Sequence, residues 1–333
     1  MVRFKVLYMN CASEDVYKII RSQLPECLQL VTLNADDSNE RMEKVKDADF
    51  ILIANAKLTG EMIRAGKKLK LIQHQGVGYD SIDVKAATEH GVEVCLTPEG
   101  TSVGVSEHVV LLILGIYKKV VKAYNALLEG KFLQWELRYD SFEIFNKTVG
   151  LIGFGRIARE VAKRLNAFDA RLLFYDEFVK MSEVEQKSLN VKQVVSLEEM
   201  LGQSDIISIH VPLTKDTRGM INKEIFEMMK TNAILINTAR GEIINEGDLC
   251  EALLNKRIAA AGLDVFNEEP LSKESPLLKL DNVLLSPHIA AGTKDALITK
   301  MKAAFENMVR VLDEKKPINS VNKADVVSIK RKA

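Results

Sequence analysis

Short apolar runs alternate with amphipathic segments along almost the whole chain. The short runs are typical of buried strands, and the segments, whose apolar residues recur every three to four positions, are typical of helices. Strands and helices that alternate in this way predict parallel sheets covered by helices on both faces. We therefore expect an α/β fold.

The predicted strands fall into two groups, and the second has the six strands of a doubly wound nucleotide-binding sheet. Helical patterns such as 14–23 and 61–66 separate the strands of the first group. The first group is Lys5–Met9, Phe50–Ala54, Leu71–His74 and Val92–Cys95, and the second is Val149–Ile152, Arg171–Tyr175, Ile206–His210, Ala233–Asn237, Ala259–Leu263 and Val283–Ser286.

Two long helical patterns flank the second group. The first runs from Gly100 to about Leu128 and is long enough to bridge two domains. The second, from Lys294 to Asp313, has no later strands to cover, so we expect it to return to the first domain. The prediction is two Rossmann-like doubly wound domains. We expect residues 101–290 to form one domain, inserted into a second domain made of residues 1–100 and 291–333.

Charge and composition exclude several classes of protein. The 333 residues include 46 basic and 46 acidic side chains, so no net charge would recruit nucleic acid or an anionic membrane. The longest apolar stretch, Val109–Tyr117, is far short of the roughly 20 residues that cross a bilayer. The apolar run at the N-terminus is too short for a signal peptide. We expect a cytoplasmic protein with no nucleic-acid or membrane partner and a solvated basic tail at 328–333.

The four cysteines lie far apart, without a C-x-x-C pair or a histidine at metal-ligand spacing. Neither a disulfide framework nor a metal site is expected. We expect Cys11, Cys27, Cys95 and Cys250 to be reduced, buried thiols.

A glycine-rich turn, G-F-G-R-I-A at 153–158, directly follows an apolar strand and opens a helix. Gly153 permits the tight turn, Gly155 lets the backbone approach a pyrophosphate, and small Ala158 allows close packing of helix on strand. The amides of Arg156 and Ile157 would face phosphates at the positive end of the helix. This pattern predicts a dinucleotide site.

Two acids at the end of the next strand specify the dinucleotide. Asp176 is placed to accept hydrogen bonds from both ribose hydroxyls of NAD. Asp176 and the adjacent Glu177 would repel the extra phosphate of NADP, and no arginine follows immediately to hold it. NAD is the expected cofactor, and NADP is disfavoured.

Three later segments, 237–241, 262–270 and 286–292, lie near strand ends that converge on the cofactor in a doubly wound sheet. Arg240 supplies a planar cation for a carboxylate. His288 can deliver a proton to a carbonyl oxygen as hydride arrives at carbon. Glu269 would favour the imidazolium form of that histidine. These residue types indicate hydride transfer beside a carboxylate.

The motif order identifies a family resemblance over roughly residues 45–310. The glycine-rich turn and its acid are followed by Pro-Leu-Thr at 212–214, Asn-Thr-Ala-Arg-Gly at 237–241, Leu-Asp-Val-Phe at 263–266 with Glu-Pro at 269–270, and Ser-Pro-His-Ile at 286–289. This order resembles the D-isomer-specific 2-hydroxyacid dehydrogenases. The resemblance implies NAD-dependent transfer of hydride between nicotinamide and C2 of a small 2-oxo acid. It also implies that residues 101–290 are the NAD-binding domain, inserted into a flavodoxin-like substrate domain of residues 1–100 and 291–333.

The resemblance also assigns roles by motif position. Catalysis falls to Arg240, Glu269 and His288. Substrate binding falls to Gly76, Val77, Gly78, Arg240 and His288. Asp264 is expected to hold the nicotinamide amide. The cofactor contacts are Gly153, Gly155, Arg156, Ile157, Asp176, His210, Pro212, Thr238, Ala239, Arg240, Asp264 and His288.

Several further expectations concern the remaining residues. His74, His90, His108 and His210 have no carboxylate partner visible in the sequence and are expected to be structural or to flank the cofactor, while the role of Glu107 stays open. The resemblance implies a homodimer built on the cofactor domain, with Leu127–Tyr139 and Trp135 as contact material, although Trp135 is equally compatible with a core position.

The sequence limits the class of substrate but does not identify a single acid. Phosphoglycerate dehydrogenase-like members place two arginines where this chain has Ile53 and Asn55, and Lys57 compensates only partly. Glyoxylate, hydroxypyruvate and pyruvate stay open, whereas Glu269 argues against the formate dehydrogenase branch, which has glutamine there. The alternative function is an NAD-sensing binding protein that resembles the C-terminal-binding corepressors, which keep the same three residues.

Overall fold

The computed structural model describes residues 3–330 and confirms the predicted α/β fold, with two parallel sheets. The chain divides into two compact units. The first unit runs up to Thr101 and resumes at Thr293, and the second unit is Ser102–Gly292. The second unit is therefore an insertion within the first.

The first unit contains a five-stranded sheet in the order β2-β1-β3-β4-β5. Alternate residues of β1 and β3 pack on opposite faces, with Leu7 and Ile51 in one apolar cluster and Val6 and Phe50 in the other. The last long helix, α12, packs into the second of these clusters through Phe305 and its neighbours, as expected. The elements are β1 Phe4–Tyr8, α1 Glu14–Ser22, β2 Leu28–Val31, α2 Ser38–Val45, β3 Phe50–Ile53, α3 Gly60–Ala65, β4 Leu71–His74, α4 Val84–Glu89, β5 Glu93–Cys95, α12 Lys294–Leu312 and α13 Lys323–Lys330.

The second unit contains a seven-stranded sheet in the order β12-β11-β10-β9-β6-β7-β8. Because β6 lies between β9 and β7, the chain leaves the sheet in opposite directions on its two sides, which makes the carboxyl end of β6 a topological switch point. The elements are α5 Thr101–Tyr117, α6 Val120–Leu128, β6 Thr148–Ile152, α7 Arg156–Asn166, β7 Arg171–Tyr175, α8 Glu183–Leu189, β8 Val191–Gln193, α9 Leu197–Gln203, β9 Ile206–Ile209, α10 Lys223–Met228, β10 Ile234–Asn237, α11 Glu246–Leu254, β11 Ala260–Leu263 and β12 Val283–Leu285.

The structure corrects the prediction in two places. The single helix expected from Gly100 to Leu128 is wrong, because Lys119 has a left-handed φ of 53° that ends α5 and precedes α6. The strands β2 and β8 were not predicted, since both lie at sheet edges and carry polar residues such as Gln29 and Lys192. An edge strand covered on fewer sides lacks the continuous apolar run of a central strand.

The cysteines and termini complete the comparison. Cys95 and Cys250 are buried as expected, but Cys11 is exposed, so the expectation of buried thiols is wrong there. Within residues 3–330, no helix has the length and apolar character needed to cross a membrane, and no group of metal-ligating side chains occurs. The basic tail expected at the C-terminus has residues 331–333 outside the described part of the chain.

We expect Phe174→Ala to lower the free energy of unfolding of the second unit by about 3–5 kcal/mol, because the buried Phe174 ring stacks on Phe154 with centroids 4.0 Å apart. Phe178→Ala is the matched control, since Phe178 is 91% exposed and should change stability by less than about 0.5 kcal/mol. Urea unfolding followed by circular dichroism measures both. Equal losses in the two variants would contradict the assignment of Phe174 to the core.

Candidate active site

The glycine-rich turn joins β6 to α7 at the switch point of the second unit. Gly153 has φ of 87°, and a Cβ there would lie 2.9 Å from Cγ1 of Val211 and 3.0 Å from the main chain of His210. Glycine is required at that position because the turn passes against the end of β9. By contrast, a Cβ on Gly155 would meet no heavy atom within 4 Å. The backbone at Gly155 is therefore open to a ligand.

The first turn of α7 has no side-chain cap. The first amides of a helix lack partners within the helix, so those of Arg156 and Ile157 are available at its positive end. Ala158 is fully buried, which permits the close packing of α7 on the sheet. The turn and the helix together present an open backbone and uncapped amides at the carboxyl end of β6.

Asp176 anchors the turn from the end of β7. One carboxylate oxygen accepts the amide of Phe154 at 2.7 Å, and the other accepts the amides of Phe178 and Val179 at 2.9 Å each. Burial opposes ionisation of this carboxyl, but the three amides outweigh it and lower its pKa. A cavity of about 560 Å³ lies beside Asp176, lined also by Glu177 and Lys180.

Two polar atoms at the ends of neighbouring strands have no hydrogen-bond partner in the described chain. They are Nε2 of His210, just after β9, and Oγ1 of Thr238, just after β10. The strands are paired, with Asn237 opposite Ile209. Burial lowers the pKa of His210 to about 3, so its imidazole is neutral. Buried polar atoms without partners indicate a site that a polar ligand completes. Pro212 lies in the turn after β9, where its main-chain oxygen accepts the Thr217 hydroxyl at 2.7 Å.

A close approach of two loops places Arg240. The buried Asn237 side chain shapes the turn, donating to the main-chain oxygen of Arg240 at 2.8 Å and accepting the amide of Ala239 at 2.9 Å. A Cβ on Gly241 would collide with the main chain of Phe266 and Asn267. Glycine therefore lets the loop after β10 lie directly against the loop after β11, which leads to Glu269.

Glu269 and His288 form a hydrogen-bonded pair. Nδ1 of His288 lies 2.7 Å from Oε2 of Glu269, and Oε1 accepts the amide of Phe266 at 3.1 Å. Burial of Glu269 raises its pKa. The hydrogen bond to His288, the amide of Phe266 and the charge of Arg240 together lower it by more, so the net pKa is below its ordinary value. The carboxylate thus orients the ring, and Nε2 is the ring nitrogen left for a substrate oxygen.

The loop that carries His288 is attached to Asp264, which is fully buried at the end of β11. The Asp264 side chain accepts the Ser286 hydroxyl at 2.6 Å and the amides of Ile289 and Ala290 at 2.9 and 2.8 Å. The amide of His288 donates to the main-chain oxygen of Asp264 at 2.8 Å. The Asp264 carboxylate therefore holds the catalytic loop, while its expected contact with a nicotinamide amide stays a prediction.

His108 is the site residue that sequence reasoning missed. Its Nε2 lies 2.7 Å from Oγ of Ser286 and 3.4 Å from Oδ1 of Asp264. The carboxylate near His108 could not be seen in the sequence, because Asp264 follows a strand far along the chain. Glu107, on the neighbouring position of α5, lies 3.4 Å from the guanidinium of Arg164.

The expected substrate loop, Gly76, Val77 and Gly78, lies in the first unit, just after β4. Gly76 is tied down through its main-chain oxygen, which accepts the amide of Thr97 at 3.0 Å, while Val77 is 40% exposed. On the neighbouring strand end, Nδ2 of Asn10 donates to Oδ1 of Asn55 at 2.6 Å. Every other predicted site residue lies in the second unit.

Comparison with known proteins shows which family the chain resembles. The D-isomer specific 2-hydroxyacid dehydrogenase NAD binding domain matches residues 110–290. D-3-phosphoglycerate dehydrogenase of Archaeoglobus fulgidus is 38% identical over 96% of this chain, which spans 59% of that relative's length. Glyoxylate reductase of Thermofilum pendens is 38% identical, covering 91% of each chain. A solved acyclic imino acid reductase (Bsp5), in complex with NADPH and D-Arg, is 28% identical, with a TM-score of 0.81 over 96% of this chain and 100% of its own.

We expect Asp176→Asn to destabilise the folded protein by about 1–2 kcal/mol at pH 7, because the amide cannot serve all three donors. The pKa of Asp176 is lowered from 3.8, so its stabilisation is complete above that pH and is lost as pH falls through the lowered pKa. Urea midpoints at pH 7 and pH 3 measure this, with exposed Glu177→Gln as the control for charge. A loss independent of pH would contradict the role given to the carboxylate.

Proposed function

The chain belongs to the D-isomer specific 2-hydroxyacid dehydrogenase family, and we propose that it catalyses NAD-dependent hydride transfer at C2 of a small, non-phosphorylated 2-oxo or 2-hydroxy acid. The observation that carries the proposal is the 2.7 Å contact between Nδ1 of His288 and Oε2 of Glu269. This pair lies at the carboxyl end of the parallel strands, as do Arg240 and the glycine-rich turn. An acid–base pair beside a guanidinium at a dinucleotide site matches reduction of a 2-oxo acid.

In this proposal the residues of the chain bind, orient and protonate the substrate, and bound NADH supplies the hydride. Arg240 binds the substrate carboxylate through its guanidinium. The substrate role of Val77 and Gly78 stays a prediction. His288 transfers a proton from Nε2 to the oxygen on C2, and Glu269 stabilises the imidazolium through Nδ1 at 2.7 Å. In the reverse direction the same ring accepts the proton of the hydroxyl. Orientation and charge stabilisation then share the reduction of the barrier.

The residues present fit a dinucleotide. The open backbone at Gly155 and the uncapped amides of Arg156 and Ile157 would hold the pyrophosphate. Asp176 keeps acceptor capacity beyond its three amides, because a carboxylate has about four lone-pair sites, and would accept the ribose hydroxyls. The orphaned Oγ1 of Thr238 would gain a partner from the ligand. With Glu177 adjacent, we infer a preference for NAD over NADP.

The first unit supports a substrate without phosphate. Ile53 is fully buried, and the side chain of Asn55 accepts a hydrogen bond from Asn10. Neutral amides offer hydrogen bonds but no charge to a phosphate, whose recognition favours guanidinium groups. Glyoxylate, hydroxypyruvate and pyruvate are the acids to compare.

We expect the purified protein to oxidise NADH, and NADPH more slowly, with one of glyoxylate, hydroxypyruvate or pyruvate. His288→Ala should lower kcat by about 100- to 10,000-fold, because the proton donor is lost. Absorbance at 340 nm measures both, and His90→Ala is the control, since His90 contacts the main chain of Gly66 in the first unit.

A preference for phosphohydroxypyruvate would contradict the inference from Ile53 and Asn55. Tight binding of NADH without turnover on any acid would instead support the NAD-sensing binding protein. Peptide pulldown with and without NADH would then test that function directly.

We also infer a homodimer formed through the second unit. Trp135 is 67% exposed, so it is not a core residue, and it belongs to a run of exposed apolar side chains on α6 and the segment that follows. Exposed apolar patches of this extent mark association surfaces. The run comprises Tyr124, Leu127, Leu128, Phe132, Trp135 and Tyr139.

We expect size-exclusion chromatography with light scattering to give the mass of two chains, and Phe132→Glu with Leu128→Glu to give the mass of one. The introduced charges would be buried without partners in the interface. Phe178→Glu is the control, because Phe178 is even more exposed but lies beside Asp176, outside this run. A monomeric wild-type protein would refute the inferred dimer.

A further inference from the structure

A chain of hydrogen bonds links α5 to the loop of His288. We propose that His108 is a positioning residue, which holds His288 in its observed conformation through Ser286 and Asp264. The contacts are 2.7 Å from Nε2 of His108 to Oγ of Ser286 and 2.6 Å from that oxygen to Oδ1 of Asp264. The catalytic consequence rests on the proposed function, whereas the hydrogen-bond chain does not.

The number of protons available decides which group donates in each of these hydrogen bonds. A serine hydroxyl has one proton, and the carboxylate is the stronger acceptor, so Ser286 donates to Asp264. Oγ of Ser286 must then accept from His108, which requires a proton on Nε2. The same N–H group lies 3.4 Å from Oδ1 of Asp264. His108 therefore acts as the donor at the α5 end of this chain of hydrogen bonds.

These hydrogen bonds restrain the backbone of the loop that carries His288. The donors to the Asp264 side chain are Ser286, Ile289 and Ala290, which flank His288 on both sides. His288 itself has φ of 52°, in the left-handed region that non-glycine residues rarely adopt. Such a conformation persists only where the surroundings impose it. Loss of one member of the chain would let His288 relax and move its ring from Glu269.

The position of His108 on α5 explains why it can act as a fixed anchor. Val109, Leu112 and Ile113 of the same helix are buried in the apolar cluster beneath the sheet. The His108 side chain is itself only 10% exposed. A donor on a helix secured by core packing has little freedom to follow the loop, so the loop must conform to it.

Substitutions at position 108 separate a donor effect from a packing effect. The side-chain nitrogen of glutamine reaches about as far as Nε2 of histidine, whereas that of asparagine does not. We expect His108→Asn to lower kcat by about 10- to 100-fold, as a small misplacement of a catalytic group does. KM for NADH should stay within about twofold, since the glycine-rich turn is untouched. His108→Gln should recover most of kcat, and Glu107→Gln, on the adjacent exposed position, should leave it unchanged.

A double-mutant cycle tests whether His108 acts through Ser286. If the chain operates in series, His108→Asn combined with Ser286→Ala lowers kcat no more than the more damaging single variant. Losses that multiply would mean that the two residues act independently, and the proposal would be wrong. Thermal melting of each variant in parallel identifies any general loss of folding.

Histidine NMR gives a readout that does not require turnover. The protein has five histidines, so selective ¹⁵N labelling of histidine yields few signals. The signals that disappear in His108→Gln are those of His108. We expect a bonded proton on Nε2 of His108 that disappears in Ser286→Ala. The ring signals of His288 should move in His108→Asn toward those of Glu269→Gln.

The two hypotheses fail in different ways. Wild-type protein without turnover, but with these NMR changes, would refute the proposed function and leave the positioning role supported. Turnover together with unchanged kcat and unchanged His288 signals in His108→Asn would overturn the positioning role alone.

Discussion

A buried carboxylate determines the geometry of the candidate active site. Asp264 has no solvent exposure, and a charge in that position is tolerated only when its oxygens are fully hydrogen-bonded. Its donors come from the segment around His288, so satisfying the carboxylate also fixes that segment. The 2.7 Å approach of His288 to Glu269 is thus a consequence of how one buried charge is accommodated.

The parallel sheet then concentrates the remaining chemistry at one edge. Strands β10, β11 and β12 are adjacent, so Arg240, Asp264 and His288 follow neighbouring strand ends although they are distant in sequence. Gly241 removes the last steric obstacle, because any side chain there would separate the loops after β10 and β11. The positive charge of Arg240 is close enough to contribute to the lowered pKa of Glu269.

The predicted cofactor side and the predicted catalytic side of this edge differ in how their polar groups are satisfied. At the predicted catalytic side, Asp264, Ser286 and Glu269 all have protein partners, which orient the His288 ring. At the cofactor side, Thr238 and His210 have polar atoms without partners in the described chain, and the backbone at Gly155 is open. One side is organised by the protein alone, while the other has bonding capacity that a bound dinucleotide would use.

The sequence by itself determined the fold class and predicted the sites whose signals are local. The glycine-rich turn, Asp176 and the motifs around Arg240 and His288 each combine a strand end with a characteristic residue, and parallel strand ends converge whatever the details of packing. Tertiary structure decided the break at Lys119, the edge strands β2 and β8, the exposure of Trp135 and the contacts of His108. These depend on what lies opposite each residue in space. His108 and Ser286 are 178 positions apart, and only the packing of α5 against the sheet brings their polar atoms within hydrogen-bonding distance.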